Sequence, residues 1–323
     1  MPSLPTRLIA DIGGTHTRFA LVHADAQLDA QRTLQTQAYA SLGEAARAYL
    51  QETGAHPQEA CFAVAGPVDG ATIRLTNHCW EFSRDSLAAE LGIERLRMIN
   101  DFEAIALALP RIDPSALVRI GGGTACSGRP LALLGPGTGL GVAQLIVTSA
   151  GFQAVPTEGG HASIGPADET ELAIIGSLLG SGEPVSREAL LSGPGMERIH
   201  RALCKLRSRD VEAMSAAQIQ ARGVEGSDLV CQEALEHFCA FLGTAAADQA
   251  LCSGARGGVY IAGGIVPRFT GFLQRSRFRT RFETRGPMSA YLRAIPVHVI
   301  THSQPGLLGA AVASIDPFQE SAH

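Results

Sequence analysis

The sequence predicts an α/β protein of two domains with duplicated mixed β-sheets. Three observations predict it. A strand-glycine-strand pattern at residues 7–22 returns at 131–147, a helix-periodic stretch runs from about 166 to 250, and a buried strand ending in paired glycines follows at 257–269.

Residues 7–22 read as strand, turn, strand in RLIADI, GGTHT and RFALV, and QRTLQTQAY extends that sheet. SLGEAARAYLQETG has helical spacing between a capping Ser41 and Gly54. CFAVAGPV returns to a buried strand stopped by Gly-Pro, and SRDSLAAELGI is a short helix. In RLRMINDFEAIALALP a strand ends at Asn100 and Asp101 and leads into an apolar helix, which puts two polar residues at a strand-to-helix corner. LALLGPGTGLGVAQLIV then repeats the first pattern. After the mostly helical stretch come GGVYIAGGIVPRF, strand-like IPVHVIT and helix-like PGLLGAAVAS. No low-complexity linker separates the halves, so boundaries fall in short segments near 101–115 and near 300.

With 323 residues, 46% of them hydrophobic and 18% charged, the chain can bury ample core. A formal charge of −5 without a long block of like charge gives no reason to expect DNA, RNA or an anionic membrane as partner, and favours small ligands. Seven scattered cysteines without a C-x-x-C pair argue against a disulfide framework or zinc knuckle and point to the reduced cytoplasm. The apolar run near the N-terminus is too short for a signal peptide, and later apolar stretches are broken by glycines, so neither secretion nor membrane spanning is expected.

In ADIGGT, Gly13 and Gly14 remove Cβ atoms where backbone N–H groups could approach an anion, Thr15 adds a hydroxyl, and Asp11 could hold a hydrated metal against phosphate oxygens. A tight hairpin turn favours the same glycines. The second loop, GPGTGLG, strengthens the phosphate reading. Both loops lead into strands, whereas a dinucleotide fingerprint opens a helix, and no P-loop motif is present. Asp101 can accept the proton of an attacking hydroxyl, although Asn100 or Asp101 could equally serve as an N-cap. Glu158 and His161 flank two glycines that let a loop fold tightly around a ligand; alone, either would be a surface residue or a satisfied core group.

The elements DIGGT, GPGTGLG and IAGGI, in that order, resemble the sugar-kinase, Hsp70 and actin superfamily, whose fold is ribonuclease H-like with an interdomain cleft. INDFEAIA, TEGGHASIGP, SREALLSGPGMERI and PGLLGAA extend the resemblance over nearly the whole chain to bacterial glucokinases of the non-ROK type; the cysteine-rich zinc motif of ROK kinases is missing. The resemblance implies ATP-dependent phosphorylation of glucose at its 6-hydroxyl, with Asp101 as catalytic base. It implies that Ala10, Asp11, Ile12, Gly13, Gly14 and Thr15 grip phosphates from one side and Gly137, Thr138 and Gly139 from the other, with Gly263 and Gly264 beside the adenosine. Asn100, Asp101, Glu158, His161 and Glu188 would surround the hexose, Glu188 having the alternative of facing solvent on a helix containing SREALL. Mg²⁺ would arrive with ATP and meet Asp11 through water, and a cytoplasmic homodimer is expected. The expected small domain is 1–110 completed by a C-terminal helix at about 304–323; the large domain is 111–303. His16 and Thr17 stand where members commonly have Asn then Ala, which puts a bulkier, titratable side chain in the first loop. The rival readings are a kinase for another hexose, one using another phosphoryl donor such as polyphosphate, and a catalytically weak sugar sensor.

Overall fold

A computed structural model describes residues 7–23, 27–68, 70–75 and 79–315. The chain ends at 1–6 and 316–323, which the expected domain limits include, lie outside the described residues. The chain divides into two compact units, one of residues 1–112, 148–156 and 302–323, the other of residues 113–147 and 157–301. In chain order the first part gives β1 (Arg7–Ile12), β2 (His16–Val22), β3 (Leu28–Gln35), α1 (Leu42–Thr53), β4 (Glu59–Val64), β5 (Ile73–Arg74), β6 (Glu81–Phe82), α2 (Arg84–Leu91), β7 (Arg95–Asn100) and α3 (Asp101–Ala108). There follow β8 (Leu117–Arg119), β9 (Leu131–Pro136), β10 (Leu140–Thr148), β11 (Gly151–Thr157), α4 (Glu169–Gly176), α5 (Gly193–Leu206), α6 (Ala216–Glu225) and α7 (Leu229–Ser253). The last elements are β12 (Gly258–Ile261), α8 (Thr270–Arg275), α9 (Phe278–Glu283), α10 (Ser289–Arg293), β13 (Val297–Ile300) and α11 (Pro305–Val312).

The two sheets repeat one plan. The five-stranded sheet has the order β3-β2-β1-β4-β7, with β1 antiparallel to β2 and parallel to β4. The six-stranded sheet runs β11-β10-β9-β12-β13-β8, with β9 antiparallel to β10 and parallel to β12. In each, the first long strand is central, its hairpin partner lies on one side and the next parallel strand on the other. The repeated strand-glycine-strand sequence is therefore a repeated topology.

Alternation along β1 covers the first sheet on both faces. Leu8, Ala10 and Ile12 pack with Leu42, Ala45 and Tyr49 of α1, while Ile9 packs with Ala104 of α3 and Leu307 and Ala310 of α11. Both faces are buried, so the strand reads as a continuous apolar run broken only by Asp11. On the outer face α11 approaches α3 so closely that a Cβ at Gly309 would collide with the Ala104 carbonyl. The helix α1 starts at Ser41, whose hydroxyl accepts from the Glu44 amide at 3.1 Å, and stops at Gly54 in the left-handed region (φ 64°).

In the second unit the 25-residue α7 forms the centre of the core, with Phe238, Phe241 and Leu242 fully buried among α5, α6 and α9. One expectation is corrected here. SREALL is not helical: Ser186 bridges Ser163, and the amides of Arg187 and Glu188 donate to the carbonyls of Ala162 and Gly160. Long-range backbone bonds take the groups a helix would have used, so Glu188 has no solvent-facing helix to sit on. No helix among the described residues is long and apolar enough to cross a membrane.

Candidate active site

Three parallel strands of the first unit end at one level. Ile12 pairs with Val64, and Val64 with Asn100, so the glycine loop after β1 and the corner after β7 leave the sheet side by side, two strand spacings or roughly 10 Å apart. Ligands of open α/β sheets collect at such carboxyl ends. Ala10 and Ile12 have fully buried side chains and sit within the sheet, so they support the loop rather than face a ligand. Gly13 and Gly14 are half-buried and Thr15 is exposed. The Gly13 amide donates to the His16 carbonyl at 3.0 Å, closing the turn.

Asp11 points to the face opposite Ile12. Its carboxylate lies 3.3 Å from Arg18 Nη1, its cross-strand partner on β2. It also stands against the first turn of α11, where a Cβ on Gly306 would come within 3.0 Å of the carboxyl group. Burial pushes the Asp11 carboxyl above its ordinary range, and Arg18 opposes that shift. The partial positive charge of the helix N-terminus favours the ionised form as well. His16 meets Gln35 on β3, whose Nε2 donates to its Nε2 at 3.2 Å. Thr17 is fully buried.

At the corner, Asn100 is the cap. Its Oδ1 accepts from the amides of Phe102 at 2.8 Å and Glu103 at 3.4 Å, and its Nδ2 donates to the Gly66 carbonyl at 3.1 Å. Asp101 begins α3 with a half-buried carboxylate, 3.0 Å from the amide of Phe102. Capping was one reading of either residue, and the structure gives that work to Asn100.

The second unit brings its own set together at the end of β9. The Gly137 amide donates to the Gly139 carbonyl at 2.8 Å, and the Gly193 amide donates to Gly137 at 2.8 Å, which pins the second glycine loop to the start of α5. Thr138 at its tip is exposed. Gly263 has φ 85° and passes so close to the Pro136 carbonyl that no other residue would fit, while Gly264 beside it is exposed. Glu188 joins two loops: its Oε2 accepts from the Leu140 amide at 2.8 Å, and its own amide donates to Gly160 at 2.9 Å. Glu158 and His161 lie on the turn around Gly160 with side chains 74% and 64% exposed and 4.0 Å apart, open to a ligand. A cavity of about 390 Å³ adjoins this region, lined by Thr138, Val185, Glu188, Ser192, Pro194 and Arg198.

Sequence reading passed over Arg18 and Gly306. The signal for Arg18 was its place across from Asp11 in a hairpin, which required the register; Gly306 is distant in sequence and gave none. A different cluster, Asp168, Glu171 and His237, brings metal-ligand atoms within 4.8 Å of one another. Cations already occupy it. Arg281 holds both Glu171 oxygens at 2.8 and 2.9 Å, and Arg277 reaches Asp168 at 3.4 Å and His237 at 3.1 Å. It is an ion-pair node fastening α4, α7 and α9, not a metal centre.

Known proteins resemble this chain in sequence and fold. The family model described as Glucokinase matches residues 8–316. A glucokinase of Chromobacterium violaceum is 46% identical over 98% of this chain and 91% of its own length, and one of Aromatoleum aromaticum is 47% identical over 95% and 94%. The crystal structure of a glucokinase from an Antarctic psychrotroph superposes with a TM-score of 0.85 at 37% identity, covering 94% of this chain and 97% of that one. With duplicated mixed sheets, two glycine loops after central strands and this full-length likeness, the chain belongs to the glucokinase family.

Proposed function

We propose that this glucokinase transfers the γ-phosphoryl group of ATP to the 6-hydroxyl of glucose, giving glucose 6-phosphate and ADP, with Asp101 as general base. The observation that carries the assignment is the level exit of the Gly13–Thr15 loop and Asp101 from parallel strands on either side of β4, with helix capping left to Asn100. A phosphoryl donor at the loop and a hydroxyl at the corner then lie in adjacent positions. The Asp101 carboxylate takes the O6 proton as O6 bonds to the γ-phosphorus and the bond to the bridging oxygen of ADP breaks. Asn100, Glu158, His161 and Glu188 bind the other hydroxyls, and a sugar that leaves one of them unpaired loses affinity. Gly137, Thr138 and Gly139 hold the donor's phosphates with Gly13, Gly14 and Thr15, and Gly263 and Gly264 lie by its adenosine.

Asp11 fits a hydrated Mg²⁺, an ion that keeps several waters and needs one or two carboxylates besides the phosphates. Mg²⁺ entering with ATP would offset phosphate charge. The finer fold reading is the ribonuclease H-like, two-domain sugar-kinase form, with substrates taken in an interdomain cleft. The reducing cytoplasm rests on seven scattered cysteines without a C-x-x-C pair, and the homodimer on the family resemblance alone.

The test is ADP release by the purified protein over a hexose panel, with ATP and with polyphosphate. Glucose with ATP should give the highest kcat/KM. Glucose binding without turnover would support the sensor reading, and a preference for another hexose or for polyphosphate would move the assignment to that substrate.

A further inference from the structure

Thr36 follows the last residue of β3 and lies beneath the first glycine loop. Its amide donates to the Thr15 carbonyl at 3.0 Å, and its hydroxyl donates to the Gly13 carbonyl at 2.8 Å. The Thr17 hydroxyl lies 3.0 Å from the same Thr36 oxygen. A hydroxyl carries one hydrogen. Thr36 directs its hydrogen to Gly13, so Thr17 is the donor of the pair. Both threonines are fully buried, and the chain from Thr17 to Thr36 to Gly13 has a fixed proton order away from water.

That chain sets the direction of one peptide. Thr17 pairs with Ile12, and both are buried on the face opposite Asp11. Thr36 meets Thr17 on that buried face and draws the Gly13 carbonyl towards it. In a trans peptide the N–H points away from the C=O. The Gly14 N–H is therefore turned to the other face, where Asp11 and Arg18 lie. An outward amide at that place is an anion donor.

We propose that Thr36, with its hydroxyl locked by Thr17, is a positioning residue for the phosphoryl donor: it holds the Gly13–Gly14 peptide so that the Gly14 N–H faces the donor's phosphates. The inference rests on residues 10–15 being a phosphate loop.

The test measures KM for ATP, KM for glucose and Tm in Thr36→Val, Thr36→Ser, Thr17→Val and Gly14→Val. Thr36→Val keeps the shape and removes the hydroxyl, and should raise KM for ATP about tenfold while leaving KM for glucose within about twofold. Thr36→Ser restores the donor and should return KM for ATP to within about twofold of the parent; Thr17→Val should raise it about threefold. A parent-like KM for ATP in Thr36→Val overturns the proposal. So does a folded Thr36→Ser as defective as Thr36→Val, or an equal rise in both KM values. If Thr36→Val fails to fold, Thr17→Val decides, and an unchanged KM for ATP there overturns the proposal. A raised KM for ATP in Gly14→Val beside a parent-like Thr36→Val removes the positioning role and keeps the phosphate loop; parent-like behaviour in both removes the phosphate loop itself.

Discussion

Asn100 caps the helix that Asp101 begins: its Oδ1 accepts from the Phe102 amide at 2.8 Å, while its Nδ2 reaches the Gly66 carbonyl at 3.1 Å. Capping and proton transfer therefore fall to different neighbours. Asp101→Asn should lower kcat by about 100-fold or more, with Tm nearly unchanged. Asn100→Ala should cost about 1 kcal/mol through the lost cap. Stopped assays and melting curves on both variants check the division, and a parent-like kcat in Asp101→Asn would sink the base assignment.

The Glu158 and His161 side chains project into solvent at 74% and 64% exposure and lie 4.0 Å from each other. Alanine at either position should leave stability within about 0.5 kcal/mol. KM for glucose should rise and KM for ATP should hold. A defect confined to ATP would show that this turn does not bind the sugar.

Glu188 behaves differently because it ties the Gly160 turn to the start of β10. Glu188→Gln keeps an acceptor for the Leu140 amide, whereas Glu188→Ala leaves that amide without it. Glu188→Ala should therefore raise KM for both glucose and ATP, and Glu188→Gln should affect glucose chiefly. Gly139→Ala should imitate the alanine variant, since its Cβ would stand 2.5 Å from Glu188 Oε2. Initial rates over both substrates separate these outcomes, and a purely glucose effect in Glu188→Ala would dissolve the link between the loops.

What the sequence made legible follows from local physics. The glycine loops, the capped helices and the Asn100–Asp101 corner depend on neighbours within a few residues, and each stands in the structure where the pattern placed it. The alternative for Glu188, a solvent-facing helix containing SREALL, fell because no local signal showed that Ala162 and Gly160 take the backbone donors of Arg187 and Glu188. Arg18 and Gly306 meet Asp11 through sheet register and through a helix almost 300 residues away in sequence. Contacts of that kind have no period to read.

The buried ion-pair node predicts an acid limb. Burial pushes Glu171 up, but hydrogen bonds from His237 and Arg281 outweigh it and hold the carboxyl down to about 2, from an ordinary 4.5. A depressed folded-state value means that the stabilisation is complete above 4.5 and is lost as pH falls from there towards 2. Glu171→Gln should cost about 3 kcal/mol near neutrality and flatten the dependence of Tm on pH between 5 and 3, to within roughly a degree or two. Thermal unfolding across that range is the measurement, and an equally steep acid limb in the variant would place its origin elsewhere.

Gly306 offers a test of Asp11 that leaves both charges in place. In a helix, Gly→Ala ordinarily gains about 1 kcal/mol, because glycine loses more backbone freedom on folding. Here the added Cβ would stand 3.0 Å from Cγ and Oδ1 of Asp11 and 3.1 Å from Oδ2, closer than van der Waals contact allows. The carboxylate must then move off its place between Arg18 and the start of α11. Gly306→Ala should consequently show no rise in Tm, a several-fold higher KM for Mg·ATP and a higher Mg²⁺ requirement, with KM for glucose unchanged. Magnesium titrations at fixed ATP, read beside a melting curve, give both arms. A variant that melts higher and uses Mg·ATP like the parent would mean that Asp11 can shift without consequence, and the metal-facing role of its carboxylate would fall with that result.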